Sequence, residues 1–496
     1  MSLLPLVLSW MGLGQVLLVL GSGLGAVVAF WTTRLLLRHA WYTHRLSCFS
    51  KPRANSWLLG HLGQMQSSEE GLLQVDDLVH KYKHSCSWFL GPFYHLVRLF
   101  HPDYVKPLLM APASITMKDE LIYGHLRPWL GDLLLSNGEE WSRRRRLLTP
   151  AFHFDILKNY VAKFNTSTNT LHDKWRQVVA EGSTAVEMFD HVTLMTLDSL
   201  LKCAFSYDSD CQRSVSEYVS AVVELSDLII ERRHKILHHW DWFYWRTEQG
   251  KRFRKALGVV HGYGSRTGDA DGQGLTDEEV QAEANTFMFA GHDTTASAIS
   301  WTLYNLARHD HYQDKCRQEV MDLMQGRDRH QIEWEDLSNL PFTTMCIRES
   351  LRLHAPVQAV TRTYTRDMEL PGHRTVPAGA ICLVSIYGTH HNPAVWTDPH
   401  EFRPQRFDPT RTADRPSHAF IPFSSGPRNC IGQKFALAQL RVVVALTLLR
   451  FRLTPGENPD LGNGTRPGGV RRLPQLVLRA EGGLWLRVEP LNPEEK

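Results

Sequence analysis

The sequence predicts a mainly α-helical fold with small β-sheets, carried behind an N-terminal transmembrane helix. Three observations predict it. The first 33 residues contain no charged side chain. Long stretches in the middle and near the C-terminus repeat apolar residues at helical spacing. Runs with strand-like alternation are short and lie mostly late in the chain.

The N-terminal stretch "LLPLVLSWMGLGQVLLVLGSGLGAVVAFW" exceeds the roughly 20 apolar residues that cross a bilayer core. It is too long for a cleaved signal peptide, and its basic residues follow it instead of preceding it. Arg34, Arg38, Arg45, Lys51 and Arg53 all come before the first acidic residues, Glu69 and Glu70. The positive-inside rule therefore predicts a signal anchor over 1–33, a basic linker over 34–60, and a cytosolic body over 61–496. Eight cysteines with no CxxC pair read as free thiols in a reducing compartment. A net charge of +3 on 496 residues gives no reason to expect nucleic acid as a partner.

Within the body, "SEYVSAVVELSDLIIERRHKIL", "DEEVQAEANTFMFAGHDTTASAISWTLYNLARH" and "QKFALAQLRVVVALTLLRFRL" predict helices. "QLVLRAEGGLWLRVEP" alternates on either side of Gly482–Gly483 and predicts a hairpin.

"FSSGPRNCIG", Phe423 to Gly432, sets Cys430 in a turn directly ahead of a helix. A helix N-terminus favours thiolate, which is the metal-binding form. Gly426 and Gly432 are expected to let a flat ligand approach the backbone. On these residues alone, a buried structural cysteine and a metal ligand both fit.

The same stretch resembles the haem-binding signature of the cytochrome P-450 superfamily, Phe-x-x-Gly-x-Arg-x-Cys-x-Gly. Upstream, "AGHDTT" (Ala290 to Thr295) resembles the oxygen-activating stretch of the central helix. "ESLR" (Glu349 to Arg352) with Arg406 of "FRPQRF" resembles the Glu-x-x-Arg triad, and "WSRRR" (Trp141 to Arg145) the Trp-x-x-x-Arg segment. Fuller runs, such as "RRLLTPAFHFDILK" and "SIYGTHHNPAVW", are similar to family 4, subfamily F, across nearly the whole chain.

The resemblance implies a haem-thiolate monooxygenase of long-chain fatty acids or eicosanoids, in the endoplasmic reticulum membrane. Its cofactor would be haem b, with electrons from an NADPH-cytochrome reductase docking on the basic proximal side. It makes Cys430 the axial thiolate, which favours O–O cleavage. It gives Trp141, Arg145, Arg362 and Arg428 to the haem propionates. Asp293 and Thr294 become a proton relay for dioxygen reduction, and Gly291 leaves room for dioxygen. Glu349, Arg352 and Arg406 become a structural network bracing the cysteine loop. The bland reading of "RRRR" at 143–146 is a solvated helix face, and that of Asp293–Thr294 is a pair bonding its own backbone.

Two departures from the family pattern carry expectations. Many family 4 members have an ester-forming glutamate where this chain has Ala290, so no covalent haem link is expected here, and strict terminal-carbon attack is not implied. Between "KALGVVHG" and "DADGQGLTDEEVQ", near 261–270, the chain is shorter than its family, and its glycines cannot replace an amphipathic helix. An exposed apolar seam on the central helix is expected there. The alternative reading is accordingly a truncated, inactive or poorly folded haem-binding relative.

Other candidates lack partners. His390–His391 and His309–His311–Cys316 have no complete set at zinc-ligand spacing. The sequons at Asn165 and Asn463 match a glycosylation pattern that a cytosolic domain does not use.

Overall fold

The structure, a computed structural model, describes residues 4–183, 185–208, 211–213, 217–267, 276–327, 331–411, 415–458 and 469–491. Its longer helices are α1 (Leu4–Arg45), α2 (Glu69–Tyr82), α3 (Gly138–Leu148), α4 (Phe154–Ala180), α5 (Met188–Ala204), α6 (Glu217–His234), α7 (Glu248–Thr267), α8 (Asp277–Ala307), α9 (Asp310–Leu323), α10 (Pro341–Leu353) and α11 (Gln433–Arg450).

Helix α1 is exposed over residues 20–34, and Leu20–Arg45 is long and apolar enough to cross a membrane. It does not stop at residue 33. The helix continues through the basic flank to Arg45, and its last turns dock on the body. Tyr42 and Leu46 are buried, the Tyr42 hydroxyl donates to the Ala378 carbonyl at 3.0 Å, and His39 Nδ1 meets His95 Nε2 at 2.9 Å.

Helix α8 runs through the middle of the body. Thr276 caps it, with Glu279 completing a capping box. It is apolar on most faces because α5, α7, α10 and α11 surround it. Gly291 belongs to this packing, since a Cβ there would come within 2.9 Å of both methyls of Leu200 on α5. The glycine serves helix approach, not room for dioxygen. Helix α7 continues as helix to Thr267 despite Gly258 and Gly262, where an added Cβ meets nothing within 4 Å. No large apolar side chain of α8 is exposed among the described residues, so the expected seam is absent there. Residues 268–275 lie outside the described residues.

The largest sheet has the order β1 (Ser85–Leu90), β2 (Tyr94–Leu99), β8 (Ile381–Ser385), β5 (Ala359–Tyr364), β3 (Thr116–Met117). A second sheet pairs β6 (Met368–Leu370) with β7 (Arg374–Val376). The predicted hairpin about Gly482–Gly483 does not form. Strand β11 (Leu478–Ala480) pairs with β10 (Arg472–Pro474), whereas β12 (Trp485–Pro490) lies between β4 (Val186–Glu187) and β9 (Phe451–Pro455). Both glycines have positive φ, +81° and +87°, and turn the chain from one sheet to another. Alternation identified the strands but not their partners.

Candidate active site

The site lies where the loop preceding α11 meets α3, α8 and the edge of the large sheet. The loop's turn is sterically defined. Gly426 has φ +72°, and a Cβ there would sit 2.0 Å from the Leu109 carbonyl oxygen. The close approach is to the protein's own backbone. Gly432, the N-cap of α11, has φ −84° and would place a Cβ 3.9 Å from Cys430 Sγ, an ordinary contact.

The Cys430 N–H donates to the Phe423 carbonyl at 3.0 Å. Cys430 is exposed, whereas six of the other seven cysteines, all but Cys48, are buried. Desolvation by the surrounding loop raises its thiol pKa, opposed by the Gly432 N–H and by the charge of Arg145. Arg145 reaches the loop from α3. It donates to the Asn429 carbonyl at 2.8 Å and to Asn429 Oδ1 at 2.9 Å.

A group of cations collects beside this loop. The Arg428 guanidinium lies 4.4 Å over the Trp141 ring and donates to the Ser136 carbonyl at 2.9 and 3.0 Å. Buried Arg362 donates to the Thr361 carbonyl at 2.7 Å and to the Tyr123 hydroxyl at 3.4 Å. Lys118 Nζ sits 3.9 Å over the Tyr123 ring. Among the described residues, none of Lys118, Arg145, Arg362 and Arg428 forms an ion pair with a protein carboxylate. Burial, reinforced by Arg362, pushes the Arg428 pKa down to about 9. Burial also drives Lys118 well below the usual lysine range, with Arg362 and Arg428 adding repulsion. Its neighbour Asp119 is occupied by the Thr361 hydroxyl and the Ile122 N–H. Lys118 was missed in the sequence because "TMKDE" carries no motif; only its placement marks it.

The four arginines of α3 part company. Arg144 is no solvated residue: it is buried and pairs with Asp132 at 2.9 Å, Glu279 at 2.7 Å and buried Glu283 at 3.5 Å. Arg143 lies 3.6 Å from Glu279, and Arg146 bonds its own helix.

On α8, exposed Ala290 and half-buried Thr294 lie one turn apart on one face. The Thr294 hydroxyl donates to the Ala290 carbonyl at 2.7 Å. Asp293 is buried and forms an ion pair with Arg479 of β11 at 2.5 Å. The structure thus gives the two residues of the expected relay separate partners.

Glu349, Arg352 and Arg406 do come together. Arg352 grips Glu349 through two 2.8 Å bonds, and Arg406 Nε reaches the same carboxylate at 3.2 Å. Arg352 also donates to the carbonyls of His390, Pro399 and Glu401. The connection to the cysteine loop passes through His390. Burial lowers its pKa to about 3, so the ring is neutral. Nε2 accepts the Ile421 N–H at 2.9 Å, which leaves Nδ1–H to donate to the Arg352 carbonyl at 3.2 Å. In the sequence this histidine lacks a zinc-ligand set and carries no other signal. It is buried, and it ties the network to the loop.

No group of three metal-ligating side chains occurs among the described residues. Asn165 is buried with its amide bonded to Val161 and Ile332, so it is no glycan acceptor. Asn463 lies outside the described residues.

An accessible cysteine thus lies ahead of a buried helix, flanked by cations that form no ion pair with a carboxylate among the described residues. The family model described as Cytochrome P450 matches residues 50–267 and 263–476. The chain is 51% identical over 514 residues to human Cytochrome P450 4F3, with 96% of each chain covered. It is 50% identical over 484 residues to a human ultra-long-chain fatty acid omega-hydroxylase, covering 90% of each. It is also 48% identical over 522 residues to mouse Leukotriene-B4 omega-hydroxylase 3, covering 95% of this chain and 98% of the relative. The chain belongs to the cytochrome P450 family of monooxygenases, whose members carry haem ligated by a thiolate.

Proposed function

We propose that this protein is a membrane-anchored monooxygenase that hydroxylates long-chain fatty acids or eicosanoids, as the names of its relatives suggest. The observation that carries the cofactor reading is the cluster of Lys118, Arg145, Arg362 and Arg428, without an ion-paired carboxylate among the described residues, beside exposed Cys430. It fits two propionates and one iron ligand.

In this reading Cys430 would be deprotonated and would ligate the metal, helped by Arg145 and the Gly432 N–H. Arg362, Arg428 and Lys118 would hold the propionates, with the Trp141 ring under the Arg428 guanidinium fixing its position. Haem bound here would supply dioxygen activation and the oxidation of an unactivated C–H bond. Thr294 would turn its hydroxyl from the Ala290 carbonyl into the pocket, giving its proton to the oxygen being reduced as it takes another from a water, and Asp293, held by Arg479, would orient that water. The cofactor is haem b without an ester link, since Ala290 presents only a methyl group.

Electrons come from an NADPH-cytochrome reductase on the proximal face, where Arg348 and Arg441 lie close enough to repel each other. The anchor sits in the endoplasmic reticulum membrane with the body in the cytosol, supported by the basic flank of α1. The family match breaks into two stretches meeting at 263–267, which supports a shortening near 261–270. Burial of α8 beneath α7 supports a folded enzyme over a collapsed relative.

The test is the carbon monoxide difference spectrum of the reduced protein. The parent chain and the variants Cys203→Ala, Cys316→Ala and Cys346→Ala are expected to show the thiolate-type Soret band, and Cys430→Ala to lose it. A thiolate band persisting in Cys430→Ala overturns the assignment.

A further inference from the structure

Two cations of the cluster beside Cys430 take their places from one short stretch of chain, residues 131–137, which leads into α3. The far end of the stretch presents acceptors. The Ser136 carbonyl accepts Arg428 Nη1 and Nη2 at 3.0 and 2.9 Å, and Asn137 Oδ1 accepts the Lys118 N–H at 2.8 Å. Asn137 is also the N-cap of α3, the helix that carries Trp141 and Arg145. A shift of this stretch therefore displaces Arg428 and Lys118 with it.

The near end of the stretch rests on α8. A Cβ at Gly131 would sit 2.7 Å from the Ala282 carbonyl, so the chain lies directly on the helix backbone. The single turn Asp132–Leu135 cannot bond its own first N–H groups, and α8 supplies the acceptors. The Gly131 N–H donates to Thr286 Oγ1 at 2.6 Å, and the Leu133 N–H donates to Glu283 Oε1 at 2.7 Å, both buried. Glu283 and Thr286 stand one turn apart on one face of α8. Arg144 of α3 closes the joint, with Nη1 at 3.5 Å from Glu283 Oε1 and Nη2 at 2.9 Å from Asp132 Oδ2. Removing either α8 acceptor leaves a buried N–H without a partner and frees the stretch to lift.

We propose that Glu283 and Thr286 are positioning residues for cofactor retention, fastening residues 131–137 to α8 so that Arg428 and Lys118 stand where they grip the cofactor's carboxylates. This rests on the assignment of those cations to the haem propionates. Neither Glu283 nor Thr286 touches the cofactor; both act through the backbone of the stretch. A backbone N–H asks only for an oxygen, so the amide of a glutamine at 283 serves as well as the carboxylate.

The experiment loads the full-length protein with haem b and, separately, with its dimethyl ester, in which both propionates are neutral. Release is measured as transfer to an excess of apomyoglobin, followed by Soret absorbance. The parent is expected to release the ester about ten- to a hundredfold faster than haem b, the range for charge-assisted hydrogen bonds, and Arg428→Gln to bring that ratio down. Glu283→Ala and Thr286→Val are expected to bring it down in the same way, speeding release of haem b while leaving release of the ester close to the parent's. Glu283→Gln is expected to keep the parent's ratio. Faster release of both pigments with the ratio intact in Glu283→Ala and Thr286→Val overturns the proposal, because that marks a general loosening of the fold, and leaves the propionate reading standing. Should Glu283→Ala fail to fold, the near-isosteric Thr286→Val decides. A ratio of one in the parent overturns the propionate reading and this proposal with it.

Discussion

Lys118 is buried and forms no ion pair with a carboxylate among the described residues, so its surroundings disfavour the charged form. Its folded pKa lies well below the unfolded value. The unfolded chain therefore binds more protons, so in the cofactor-free protein stability rises with pH between the two values. Lys118→Met is expected to remove that slope and to stabilise the cofactor-free chain by about 1–3 kcal/mol, the cost of one unsatisfied buried polar group. The haem-loaded variant should instead lose haem faster than the parent. Thermal melts across pH, with and without haem, check both. A second prediction belongs to Ala290. Acid extraction should release all haem from the parent protein, and Ala290→Glu should retain part of it covalently, since exposed Ala290 shares its face with Thr294. Haem retained by the parent would reveal a link through another residue. Cys430, Arg145 and Arg428 were legible through the resemblance of their motifs to a known family. Lys118 and His390 were not, because a single lysine or histidine in a sequence says nothing about which groups the fold will bring beside it.

At the scale of elements, helices were legible and partnerships were not. The three patterns quoted for helices correspond to α6, α8 and α11, because a 3.6-residue period is written locally. The strands on either side of Gly482–Gly483 entered different sheets, β11 with its near neighbour β10 and β12 with β9 and the distant β4, because alternation along a strand does not name its partner. The join of α3 to α8 through Arg144 was equally hidden. It makes a pH prediction. Glu283 accepts the Leu133 N–H at 2.7 Å, its other carboxylate oxygen is buried without a partner, and burial raises its pKa to about 7 despite Arg144. A carboxyl whose folded pKa exceeds its unfolded value holds its proton longer in the native state. Stability from this group is therefore lost as pH rises from about 4.5 to about 7. Glu283→Gln should flatten the loss by about 1–3 kcal/mol, read as the difference between parent and variant in denaturant midpoint across that range. Glu187, also raised to about 7, is present in both and cancels.

At the scale of the whole molecule, the anchor and the body are joined by helix, since α1 continues past residue 33 to Arg45. A bilayer requires only that apolar residues end and basic ones begin. Packing adds that α1 continues to Arg45, with Arg45 paired to Asp367 and with Tyr42 and Leu46 in the core beside β2 and β8. Orientation is best read by protease protection of intact microsomes, since buried Asn165 cannot report through a glycan in either orientation. Two truncations separate the anchor from the fold. Removing residues 1–33 should leave the docked turns in place, with the carbon monoxide spectrum and melting temperature of the parent. Removing residues 1–46 takes Tyr42 and Leu46 out of the core and breaks the 3.0 Å bond to the Ala378 carbonyl. Two large buried side chains of this kind are worth about 2–5 kcal/mol each, comparable to much of a domain's net stability. The longer truncation should therefore melt at least several degrees lower or fail to retain haem. Equal stability of the two truncated proteins would make residues 34–46 a linker without a structural role.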